Sequence, residues 1–71
     1  MKFKRYENKH VSLTIDLDEV LSIVCNYDTA HGFMSVLYKS NSIKLQLRTD
    51  VEFMKKTEED ISSYLLNHIN N

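Results

Sequence analysis

Proline and tryptophan are missing from the 71 residues, and glycine, alanine and cysteine occur once each. Each shortage excludes something. With Cys25 alone, no disulfide can form within the chain. One cysteine and three scattered histidines give no ligand-pair spacing for zinc. No glycine-rich phosphate loop and no nucleophile elbow is present. No apolar run approaches the roughly 20 residues of a membrane span. The basic start, MKFKRYENKH, has no apolar stretch behind it and does not read as a signal peptide. A lone free thiol without a secretion signal points to a reducing cytosol, so the expected location is cytoplasmic. The net charge of −1 supplies no global field for holding nucleic acid and is too small for an acidic mimic of it.

Lysine, asparagine, isoleucine, tyrosine, phenylalanine and methionine are plentiful. Their codons are A/T-rich, whereas those of proline, glycine and alanine are G/C-rich. The bias points to an A/T-rich genome, such as a low-GC bacterium or its phage. The length allows one domain, residues 1–71. Such a chain buries only about 60% of its unfolded surface. Small folds then need a staple. With disulfide and metal set aside, the staple left is a partner, either a second copy or another protein.

The chain divides by hydrophobic period. Val11, Leu13, Ile15 and Leu17 alternate with Ser12, Thr14 and Asp16, the period of a half-buried strand. Ile43, Leu45 and Leu47 alternate likewise with Lys44, Gln46 and Arg48. VLSIVCNY places Leu21, Ile23, Cys25 and Tyr27 on one face and Val20 and Val24 on the other. GFMSVLYK sets Met34, Val36 and Tyr38 against Phe33 and Leu37. Both segments are apolar on two sides, which suits strands with a second face to cover. Asp28 to Gly32 reads as a hairpin loop, Lys39 to Ser42 as a polar turn, and Asn8-Lys9 as a turn after a first strand, KFKRY. Loops this short favour antiparallel neighbours.

Past Asp50 the period becomes helical. Val51, Met54, Ile61, Tyr64, Leu65, His68 and Ile69 share one face. Thr49 and Glu52 have capping-box spacing, and Thr57 with Asp60 offers a second cap. The spacing predicts a kinked helix or two helices, the main one near residues 58–69. The expected fold is α+β: an antiparallel sheet of four to five sequential strands, as a meander or small partly open barrel, with a C-terminal amphipathic helix on one face. Ile15, Ile23, Leu45 and Leu65 are the expected core.

Asp16, Asp18 and Glu19 put three carboxylates within four positions. They could hold a cation or an acid/base pair. A strand running unbroken from Val11 to Tyr27 would drive Glu19 into the core, where an unpaired carboxylate is too costly. A calcium loop would need more oxygen ligands and a glycine. The three acids therefore mark a strand boundary. Cys25, among Leu21, Ile23 and Tyr27, reads as core rather than nucleophile, because the bases His10 and His31 could reach it only by an accident of the tertiary fold. His68 flanks the stripe at the helix C-terminus, where positive charge is favoured.

No catalytic, metal or cofactor residue is expected, and no enzyme. The expected function is a small non-catalytic protein-binding module, of the kind by which a phage or mobile element inhibits or redirects a host complex. The candidate contacts are Val24, Phe33 and Leu37, left over when one helix covers one side of a sheet, and Leu66, off the helix stripe. A homodimer is one way to cover them. The alternative is a weak nucleic-acid binder whose basic sheet face, Lys4, Arg5, Lys44 and Arg48, follows a phosphate backbone.

Overall fold

The computed structural model describes residues 1–40 and 45–69, with side chains through His68. Among the described residues five strands precede one helix: β1 (Phe3–Glu7), β2 (Ser12–Asp16), a 3-10 turn (Leu17–Glu19), β3 (Val20–Tyr27), β4 (His31–Tyr38), β5 (Leu45–Asp50) and α1 (Val51–Ile69). Ile43, Lys44 and part of the Lys39–Ser42 turn lie outside the described residues. The class is α+β with antiparallel pairing in sequential order. The strands do not form the single sheet expected. β1 and β2 make a hairpin, with Phe3 opposite Asp16 and Glu7 opposite Ser12. β3, β4 and β5 make a separate three-stranded sheet in that order.

The acids at 16–19 cause the division. Asp16 caps the 3-10 turn, its Oδ1 accepting from the backbone amides of Asp18 and Lys2, each at 3.1 Å. Its own amide donates to the Tyr38 hydroxyl at 2.8 Å. The turn drives Leu17 into the core and redirects the chain into β3. The boundary reading of these acids holds.

β3 opens with a bulge: Val20 opposes Tyr38 while Ser22 opposes Leu37. One extra residue in a strand shifts the register of side chains around it. Val20 therefore enters the core and Leu21 is 61% exposed, the reverse of the alternation expected. Gly32 lies inside β4, opposite Tyr27, rather than in the loop. It serves close approach: a Cβ there would lie 2.3 Å from the Asn26 carbonyl oxygen and 3.1 Å from Met54 Sδ.

The helix is continuous. Asp50 caps it, with Oδ2 accepting from the Phe53 amide at 2.9 Å, so Thr49 and Glu52 form no capping box. That bond, ahead of the others Asp50 receives, lowers its pKa. Thr57 is buried on the inner helix face and starts no second helix. The core gathers Ile15, Leu17, Val20, Met34, Val36, Met54 and Ile61, with Tyr6 and Phe53 at its margin. Ile15 is fully buried as expected, whereas Ile23, Leu45 and Leu65 are only half-buried. Among the described residues no helix is long and apolar enough to cross a membrane.

Candidate functional site

Alternation along β4 divides the three-stranded sheet into two unlike faces. Met34 and Val36 point inward and are fully buried against α1 and its surroundings. Phe33, two positions from Ser35 on the other face, is 46% exposed, and Val24 is exposed to the same extent. Val24 lies opposite Ser35, so Phe33 and Leu37 are its diagonal neighbours, about 7–8 Å away. Leu37 is half-buried. The structure thus brings three of the four candidate contacts onto one face, which no other described element covers. Leu66 does not join them: it is exposed on α1, behind the inner face. Around the apolar patch stand Ser22, Asn26 and His31, and on β5 Gln46 and Arg48, with Arg48 directly opposite Phe33.

The basic candidates are separated. Lys4 and Arg5 belong to β1, and Arg48 belongs to the other sheet. Lys4 Nζ pairs with Asp60 Oδ2 at 2.7 Å. Arg5 Nε donates to Ser12 Oγ at 3.1 Å and lies 3.7 Å from Glu7. Lys44 lies outside the described residues.

An open cleft of about 630 Å³ runs between β1 and α1, lined by Lys4, Tyr6, Phe53, Lys56 and Asp60 among others. Its charges are mixed and partly spent on holding the hairpin to the helix. Tyr6 donates to Asp60 Oδ2 at 2.5 Å. Lys4 first, and Tyr6 second, hold the Asp60 carboxyl below the usual range. Burial, then Asp60, raises the Tyr6 phenol. Cys25 sits beside Tyr27 and Glu58; burial, then the Glu58 charge, pushes its thiol up to about 11. A thiol so raised is almost wholly protonated at neutral pH and is a poor nucleophile. Near the 3-10 turn, Tyr64 donates to Asp18, and His68 stacks on Tyr64 with centroids 4.0 Å apart. Among the described residues no three His, Cys, Asp or Glu side chains group so as to hold a metal ion.

The sequence reading missed Leu21 and Tyr27, exposed by 61% and 43%. The bulge that releases Leu21 has no local signature in VLSIVCNY. No family model matches this chain, no curated protein matches it, and no solved structure matches it.

Proposed function

We propose that this is a small non-catalytic binding module whose outer sheet face, centred on Val24, Phe33 and Leu37, docks on another protein. The observation that carries the reading is the contrast within β4, where fully buried Met34 and Val36 alternate with Phe33 and Leu37 on a face that no other described element covers. An aromatic and two aliphatics ringed by Asn26, Gln46 and Arg48 have the make-up of an interface core with a polar rim. The raised Cys25 thiol and the mixed-charge cleft offer no activated nucleophile. An inhibitor or regulator from a phage or mobile element fits the size and codon bias.

The test is capture from a low-GC bacterial lysate on immobilised parent protein and on the Phe33→Asp, Leu37→Asp double variant. Circular dichroism establishes that both are folded. A protein held by the parent and lost by the variant supports the reading; equal capture by both removes it.

A second reading has one observation in its favour. Phe33 beside Arg48 pairs a stacking surface with a cation, as single-stranded nucleic-acid sites do. Binding of an oligonucleotide should then weaken with salt, and Arg48→Ala should flatten the slope by about one unit. No binding at low salt eliminates it.

A further inference from the structure

Four strands present an edge that no other described strand pairs: β1, β2, β3 and β5. Three of these carry charge. β1 has Lys4, Arg5 and Glu7, β2 has Asp16, and β5 has Arg48 and Asp50. β3, Val20–Tyr27, has eight residues and neither charge nor proline. Natural edges are blunted by such residues, by bulges or by shortness, because an unpaired row of amides and carbonyls recruits another strand. The β3 bulge lies at its first end and leaves Ser22 to Tyr27 in unbroken register with β4. Among the described residues no backbone hydrogen bond from beyond β4 reaches this stretch.

Exposed apolar side chains gather along the same edge. Leu21, Val24 and Tyr27 lie on β3 itself. Leu66 joins them from the helix. Lys55 Nζ sits 5.9 Å from the Tyr27 ring, and Leu66, eleven residues on, falls on the same helix flank after about three turns.

We infer that β3 pairs antiparallel with β3 of a second copy, giving a six-stranded sheet with both helices on one side. Opposite residues of an antiparallel pair share a face, so a two-fold axis normal to the sheet must pass through one residue position and its own copy. Self-pairing sets every charge on an edge against a copy of the same strand. A strand without charges is free of that repulsion in any register, a constraint that capture of a foreign strand does not impose. The helix flank agrees. Leu21 shares a recess with Leu65, and Tyr27 bonds Glu58 at 2.7 Å, so the middle of β3 lies level with Ser62. A serine at the axis lets two helices approach to about 8–10 Å. Glu58 and its copy then lie about 12 Å apart along the helix direction. This seam shares Val24 with the outer face but takes neither Phe33 nor Leu37, so either can fail alone.

Sedimentation from 1 to roughly 100 µM tests it. The parent should dimerise. Leu21→Lys and Leu66→Asp, neither on the outer face, should each weaken the dimer at least about tenfold and remain folded by circular dichroism. Oxidation should cross-link the parent through Cys25 or, in a Cys25→Ser background, one of Ser22→Cys, Ile23→Cys, Val24→Cys or Asn26→Cys into a covalent dimer, and Phe33→Cys should not cross-link. A parent that is monomeric throughout overturns the inference. So does a dimer that survives both edge substitutions, or one that cross-links only through Phe33→Cys.

Discussion

The β1–β2 hairpin and the three-stranded sheet are held to the helix by different means. The hairpin buries Ile15 and adds polar bonds to it: Lys4 and Tyr6 meet Asp60, and Asn8 Nδ2 donates to Asp50 Oδ1 at 2.8 Å. The sheet is held by apolar burial, with Met34, Val36, Met54 and Ile61 fully enclosed. The hairpin spends Lys4 on attachment, while Arg5 stays within the hairpin beside Ser12 and Glu7. The sheet adds one such bond, from Tyr27 to Glu58 at 2.7 Å, and keeps an apolar centre on its outer face and an uncharged edge at β3. The contrast separates the surfaces the fold uses for its own attachment from those it leaves exposed.

The largest effect should come from the sheet side. Met34→Ala removes a fully buried side chain from between sheet and helix, at about 2–5 kcal/mol. In so small a domain that should move the unfolding midpoint sharply down, as read by urea titration. Next comes Gly32→Ala. Its Cβ would collide with the Asn26 carbonyl oxygen, a backbone atom that cannot simply turn aside, and would press on Met54. A loss of about 1–3 kcal/mol is expected. On the hairpin side, Tyr6→Phe removes one hydrogen bond and leaves Asp60 paired with Lys4. The expected cost is about 0.5–1.5 kcal/mol, smaller than either sheet substitution. A Tyr6→Phe loss exceeding that of Met34→Ala would reverse the comparison.

These contrasts were unevenly legible. The alternation in Val11–Leu17, the sequential antiparallel order and the helix stripe through Met54 and Ile61 follow from residue period, which is set by local geometry. The division into two sheets was not legible, because it depends on Asp16 bonding Lys2 and Tyr38, partners 14 and 22 residues away. Thr57 misled for a related reason: a threonine suits a cap locally, yet packing buries it mid-helix. Val24, Phe33 and Leu37 could be found as apolar residues on the side the helix cannot cover. Leu66 was grouped with them only because sequence does not show which side of the sheet a helix flank occupies.

The smallest expected effect is in pH. Asp60 has its pKa lowered, chiefly by Lys4, so its bonds add stability above the unfolded carboxylate value of about 3.9 and lose it as pH falls through the lower folded value. Cys25 is raised to about 11, so its contribution is intact below the unfolded thiol value and fades as pH climbs toward 11. Melting temperature should therefore be flat near neutrality and fall at both ends. Asp60→Asn should soften the acid limb alone.

We propose that the outer sheet face is kept apolar for contact with another protein and not for stability. The melting temperature of Phe33→Asp tests it most directly, measured beside parent and Met34→Ala at a concentration where all are monomeric. Phe33→Asp should melt within a few degrees of the parent, since a half-exposed side chain on an uncovered face gives the fold little. A fall as large as that of Met34→Ala would contradict the account, because it would mean that the chain itself depends on that face.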